Sequence, residues 1–315
     1  MRIAFLMDPY PSLNLETDTS LLCMEALLAR GHDVYWLERD DLSLLDAELV
    51  LRLRPVRNTA PFQLGDESLQ AADFIEALMI RPDPPVDSGY LQLTWLLDFL
   101  PASVVCLNNP VALRSLNEKL FALRWPALSP PTLMTRDPAA LSAFLQAHQQ
   151  IVIKPLAECS GRGIKILNVN DGDKDQQVAE VIAQLAGGEF LLAQRFLPGV
   201  VRGDKRIFLI QGEAAGQVNR IPRTARQLAN IHQGAHCEAT GLTERDGEII
   251  AMIGPVLIQH GIVFAGIDVI DGWLTEINIT SPSAVRQINA VSGLRLEQQL
   301  ADAIEATVQR HSLTG

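Results

Sequence analysis

Short apolar runs and amphipathic stretches alternate along the first third of the chain. RIAFLM (2–7), DVYWLE (33–38), EALMIR (76–81) and SVVCLNN (103–109) predict strands. Between them, TSLLCMEALLARGH (19–32) predicts an amphipathic helix ending at Gly31, and SGYLQLTWLLDFLP (88–101) predicts a helix stopped by Pro101. Alternation of this kind points to an α/β unit built on a doubly wound parallel sheet. PVALRSLNEKLFALRW (110–125) reads as one further helix, with Pro110 in its first turn.

ALSPPTLMTRD (127–137) is a proline-rich break and reads as a linker. Beyond it the pattern changes to strand pairs. QIVIKPL (150–156) and GIKILNV (163–169) flank a short polar loop, and FLLAQRFLP (190–198), DKRIFLIQG (204–212) and AAGQVNRIP (214–222) follow. A helix over 244–261 then feeds two strands, 262–270 and 273–279, joined by a DGW hairpin turn. A last helix spans 294–311.

Composition narrows the class. The chain has 315 residues, 48% hydrophobic and 20% charged, enough for two or three packed units. The longest apolar runs, FIEALMI and GIVFAGIDVI, are too short to span a bilayer. MRIAFLMDPYPS stops at Asp8 and reads as a first strand, not a secretory signal. Cys23, Cys106, Cys159 and Cys237 are scattered without a CxxC pair, which argues against a disulfide framework or zinc site and for the reducing cytoplasm. A net charge of −11 with no basic stripe argues against nucleic acid as a partner.

Three features carry candidate chemistry. In WLTEINITSPS (273–283), Glu276 and Asn278 project from one strand face, and pairing across the turn brings Asp268 toward them. Three oxygen donors there suit a hard cation, Mg²⁺ or Mn²⁺; the alternative is a one-sided sheet with both residues facing solvent. Next, Lys154 ends an apolar strand before a loop containing Gly161 and Gly163, a way to hold phosphates, although taken alone a plain glycine hairpin beside a surface lysine is the commoner explanation. Last, Arg206 sits in an apolar strand, where a charge must find a partner.

The order of these features is that of the ATP-grasp ligases, and within them the chain resembles the bacterial glutathione synthetases. MDP (7–9), RPDPP (81–85), NNP…LNEKLF (108–121), GDKRI (203–207), NRIP (219–222), GIDVI with LTEINITSPS (266–283) and DAIEA (302–306) carry the resemblance from end to end. It implies an N-terminal substrate-side domain over 1–122 and an ATP-grasp domain pair with antiparallel sheets over 123–315, divided at 200. It also implies roles. Lys119 and Lys154 contact the phosphates of ATP beneath the loop containing Ser160, Gly161 and Gly163. Gln194, Phe196 and Leu197 frame the adenine and Asp204 the ribose. Asp268, Glu276 and Asn278 hold Mg²⁺ or Mn²⁺, and Arg206, Ser281 and Arg286 face the carboxylate substrate.

The implied reaction joins γ-glutamylcysteine to glycine through an acyl phosphate, in a cytoplasmic homo-oligomer, a dimer or tetramer. Two other readings stand beside it: a related ligase for another amino acid or dipeptide, and a nucleotide-binding protein without catalysis. Two stretches depart from the family. Ala157, Glu158, Cys159 and Ser160 replace a glycine-rich, acid-led phosphate loop. In RTARQLANIHQGAH (223–236), Leu228 stands where the lid arginine belongs, leaving Arg223 or Arg226 to compensate.

Overall fold

RIAFLM forms β1 (Arg2–Met7), and residues 3–7 of it are buried, as an inner parallel strand requires. The computed structural model describes residues 1–158, 161–185, 188–222 and 235–314. After β1 come α1 (Thr19–Ala29), capped by the Asp18 carboxylate on the Leu21 amide at 2.7 Å, and β2 (Asp33–Glu38). An antiparallel excursion absent from the sequence reading follows: β3 (Leu42–Leu45), β4 (Glu48–Thr59), β5 (Phe62–Leu64) and β6 (Ser68–Ala71). Then β7 (Ala77–Ile80), α2 (Ser88–Leu96) and β8 (Val105–Leu107) complete the sheet. Its order is β3-β4-β2-β1-β7-β8, with β2, β1, β7 and β8 parallel.

The helix expected over 110–125 is broken into α3 (Pro110–Ser115), α4 (Glu118–Phe121) and a tight turn at Ala122–Arg124. Leu116 is extended, and the Asn117 side chain accepts from the amides of Lys119 and Leu120, starting a new helix. The expected linker is also corrected. Within 127–137 lies β9 (Thr132–Thr135), which pairs with a strand sixty residues away; Pro130 and Pro131 precede it, so no ladder amide is lost.

A second sheet contains β9, β10 (Gln150–Pro155), β11 (Lys165–Asn168) and β12 (Leu191–Arg195), in the order β11-β10-β12-β9. The helices α5 (Pro138–His148) and α6 (Lys174–Ala183), which the strand-pair reading passed over, pack on it through Leu141, Leu145, Val178 and Val181. The third sheet is antiparallel, in the order β15-β14-β13-β16-β17. It comprises β13 (Asp204–Ile210), β14 (Glu213–Ile221), β15 (His236–Glu238), β16 (Phe264–Ile270) and β17 (Trp273–Asn278). Asp271 and Gly272, at φ 51° and 75°, make the expected two-residue turn between β16 and β17. The helices α7 (Glu244–Gln259), α8 (Val285–Ser292) and α9 (Leu296–Thr314) complete the chain.

The cores divide unevenly. The second sheet and its helices close around a cluster of their own, Leu141 through Ala193. The third sheet instead shares its apolar face with the first: Ile207, Leu209 and Ile267 pack in one cluster with Leu6, Leu78 and Leu113. Among the described residues no helix is long and apolar enough to cross a membrane.

Candidate active site

The three sheets surround a cavity of about 750 Å³, within the range that small-molecule sites occupy. Its floor follows from strand periodicity. Residues 204 and 206 share a face of β13, and the register sets Arg220 opposite Asp204, Asp268 opposite Arg206, Glu276 opposite Asp268 and Asn278 opposite Gly266. Every one of these charged or amide side chains therefore meets on one face, while Ile207 and Ile267 turn to the core.

The carboxylates there are heavily paired. Arg206 donates to both oxygens of Asp268, from Nε at 2.6 Å and from Nη2 at 3.0 Å. Arg220 bridges Asp268 and Asp204 at 2.8 and 2.7 Å. Burial pushes the Asp268 carboxyl up, but the two guanidinium groups outweigh it and hold the group well below the ordinary range. Asp204 goes the other way: burial raises it to about 6 despite Arg220, with the Asp268 charge adding to the rise. Asp204 lines the cavity, and its buried Oδ1 has no hydrogen-bond partner.

Two lysines reach in from other elements. Lys119 on α4, only 6% exposed, lies 3.2 Å from the Glu276 carboxylate and donates to the Glu158 carbonyl. Lys154 on β10 donates to Gln194 Oε1 at 2.8 Å, and Gln194 is held in turn by Thr132 at 3.1 Å. Burial draws the Lys154 ammonium below its ordinary pKa, against the pull of Glu276. Phe196 and Leu197 continue the wall past β12. Gly161 and Gly163 have φ of 76° and 69°, and a Cβ at Gly163 would lie 2.8 Å from Pro155, so the loop needs glycine there. Ser160 and the segment 223–234, with Arg223, Arg226 and Leu228, lie outside the described residues.

Asp268, Glu276 and Asn278 do meet. The Asn278 amide nitrogen donates to Asp268 Oδ2 at 3.2 Å and to the Gly266 carbonyl at 3.1 Å, which leaves the amide oxygen to ligate. Two carboxylates and an amide oxygen form the hard-oxygen donor set that Mg²⁺ or Mn²⁺ takes, and on donor chemistry they fit. Cationic side chains already occupy the carboxylates, and among the described residues no cluster of three His, Cys, Asp or Glu forms a metal site.

Ser281 lines the cavity and donates to the Asp83 carboxylate. Arg286 is not on the cavity wall; its Nε donates to the Asp18 carbonyl at 2.8 Å, bracing the loop before α1. Arg220 was missed by sequence reasoning, although the signal that singled out Arg206, a charge in an apolar strand, applies equally to VNRIP. Arg81 was missed too: it donates to Ser20 at 2.8 Å and to the Pro282 carbonyl at 3.1 Å, at the N-terminal side of the cavity.

This three-sheet arrangement is shared with solved structures. D-cycloserine synthetase DcsG superposes with a TM-score of 0.71 at 15% identity, covering 97% of this chain and 99% of that one. The macrocyclase MdnC from Microcystis aeruginosa, bound to its precursor peptide MdnA, superposes at 0.66 with 15% identity, covering 96% and 98%. These two likenesses establish a shared fold. Sequence places it further. Residues 1–114 match the N-terminal domain of prokaryotic glutathione synthetase, and residues 118–293 match the ATP-grasp domain of that family. The glutathione synthetase of Synechococcus elongatus is 37% identical, with 98% of this chain and all of that protein covered. That of Citrobacter rodentium is 34% identical, with 98% and 100% covered. The chain belongs to the prokaryotic glutathione synthetase family.

Proposed function

We propose that this enzyme joins γ-glutamylcysteine to glycine, with ATP converted to ADP and phosphate and glutathione released. What carries the reading is one cavity on which Lys119, Lys154, Arg206 and Arg220 converge around Glu276 and Asp268, in a chain of this family. A substrate carboxylate oxygen attacks the γ-phosphorus of ATP, its bond to the bridging oxygen breaks, and ADP leaves. The glycine amine then attacks the acyl carbon and loses a proton. Phosphate departs with the former carboxylate oxygen.

Lys119 and Lys154 are suited to the phosphates, with the loop of Gly161 and Gly163 above them and Ser160 belonging to it in sequence. Gln194, Phe196 and Leu197 suit the adenine, and Asp204 on the cavity wall suits a ribose hydroxyl. Arg206 and Arg220 place fixed positive charge beside the reacting groups. Asp268, Glu276 and Asn278 would hold Mg²⁺ or Mn²⁺, which would offset negative charge on the phosphates. Ser281 faces the acid substrate, and Arg286 serves it indirectly by bracing Asp18. The division near residue 122, with a second near 200, the cytoplasmic setting and a homo-oligomer of two or four chains belong to the same reading.

One sequence feature favours a second reading, a related ligase for another acid or amine: Leu228 in place of the lid arginine. The complete Asp268, Glu276 and Asn278 set speaks against a non-catalytic descendant. ADP release measured over a panel of acids crossed with amines decides. The highest rate is expected for γ-glutamylcysteine with glycine; another best pair favours the second reading, and no ADP release from any pair refutes ligation.

A further inference from the structure

The consecutive residues Asn117, Glu118 and Lys119 each reach a different part of the site. The Asn117 amide donates to the Leu156 carbonyl at 2.9 Å, at the root of the glycine loop. Lys119 meets Glu276. Glu118, 7% exposed, points to the end of β17: its Oε1 accepts from the Ile279 amide at 2.7 Å, the Thr280 amide at 2.9 Å and the Thr280 hydroxyl at 2.9 Å. Burying a carboxylate is costly, and burial followed by the nearby Glu276 charge raises the Glu118 pKa. Three donors on one oxygen compensate.

The other side of the same peptide is held as well. The Asn108 amide nitrogen donates to the Ile279 carbonyl at 2.7 Å and to the Phe264 carbonyl at 2.8 Å. Its oxygen accepts from the Val263 and Phe264 amides at 2.8 and 2.9 Å. Ile279 directly follows Asn278, so its N–H and its C=O are both fastened by side chains from the segment 108–118. No lattice of strand bonds could do this, because β17 ends at Asn278 and the chain there leaves the sheet.

We propose that Glu118 is a positioning residue for the ligation, and that with Asn108 it clamps the exit of β17 so that Glu276 and Asn278 stay in register with Lys119 and the glycine loop. Glu118 touches no reacting atom in this scheme. It acts through Ile279 and Thr280, and the tripeptide 117–119 touches both the strand carrying Glu276 and the root of the glycine loop. A displacement of about an ångström at such a site costs on the order of a hundredfold in rate, while substrate affinity changes much less. The kinetic role rests on the ligase reading above; the clamp itself does not.

Two measurements on Glu118→Ala, Glu118→Gln and the parent test this. Amide hydrogen exchange is followed over residues 276–281, and steady-state kinetics over ATP. In Glu118→Ala, exchange at Ile279 and Thr280 should quicken by at least tenfold, with kcat down about thirtyfold and KM for ATP changed less than threefold. Glu118→Gln keeps an acceptor oxygen and should restore most of both. Unchanged exchange at 279–280 in Glu118→Ala overturns the clamp, and so does an equal loss in the two variants. Faster exchange with kcat unaltered overturns the positioning role. If the parent makes no glutathione, the substrate reading falls, and the exchange arm still decides the clamp.

Discussion

The two sheets that face each other across the cavity are built on different terms. The β13–β17 sheet is set from behind by an apolar core that it shares with the N-terminal sheet, and its functional face is a closed lattice of arginines and carboxylates. The β9–β12 sheet has a separate core, and around the loop root it meets the rest through polar contacts: Asn117 to Leu156, Lys119 to Glu158, and the Val86 amide to the Ala157 carbonyl at 3.2 Å. Shared cores move together and polar contacts exchange with ligand. One wall of the site is thus braced by a shared core, and the other is expected to be the wall that adjusts when nucleotide binds.

The largest expected effect falls on the braced wall. Glu276→Gln retains shape but removes a charge, and turnover should drop by about a hundredfold to a thousandfold, the scale of one strong electrostatic contact. Tm should move by only a few degrees, at about 2–4 °C or less for each kcal/mol in a chain of this size. Steady-state ligation and a thermal melt check both; near-parental turnover would remove Glu276 from the site.

The contrast between cores comes next. Ile267→Ala and Leu145→Ala each delete a fully or almost fully buried side chain and should each cost about 2–5 kcal/mol. Ile267→Ala should lower global stability. Leu145→Ala should instead raise hydrogen exchange in β10 and β12 while β13 and β16 stay protected. Equal exposure of all four strands would show that the two sheets unfold as one unit.

On the adjustable wall, Lys154→Met should raise KM for ATP by about tenfold to a hundredfold, as expected for a lost charge-assisted contact of about 1.5–3 kcal/mol. KM for the acid should hardly change. An effect confined to the acid would move Lys154 out of the phosphate site.

The smallest effect is a pH dependence. Asp204 ionises only near pH 6, so its acceptor capacity is lost as pH falls through that value, and kcat/KM for ATP should decline a few-fold below about pH 6. Asp204→Asn should flatten that limb. The sign for stability is opposite: the folded-state pKa is raised from 3.8, so ionising Asp204 disfavours the fold as pH rises from 3.8 to about 6. Urea titrations at pH 4 and pH 6.5 on the parent and Asp204→Asn isolate this slope.

The braced wall was also the more legible in the sequence. Period-two alternation over DKRIFLI, FAGIDVI and WLTEIN, with a two-residue Asp-Gly turn, predicts which residues share a face, and the Asp268–Glu276–Asn278 grouping follows from it. The adjustable wall was read less well. Its edge strand β9 lies within a proline-rich stretch, its partner β12 is remote in sequence, and α6 carries a polar composition with few apolar positions. The pairing of Arg206 and Arg220 with Asp268 depends on register between strands, which no local pattern shows. The break at Leu116–Asn117 was hidden because the residues on both sides are helix formers and only the capping side chain of Asn117 divides them.

The central claim, that ATP activates a substrate carboxylate as an acyl phosphate, is tested most directly by oxygen transfer. γ-Glutamylcysteine carrying ¹⁸O in its reacting carboxylate is incubated with the enzyme, ATP and glycine, and the released phosphate is analysed by mass. The mechanism predicts one ¹⁸O in each phosphate formed, in equal amount to ADP and glutathione. Glutathione formed with unlabelled phosphate would contradict it.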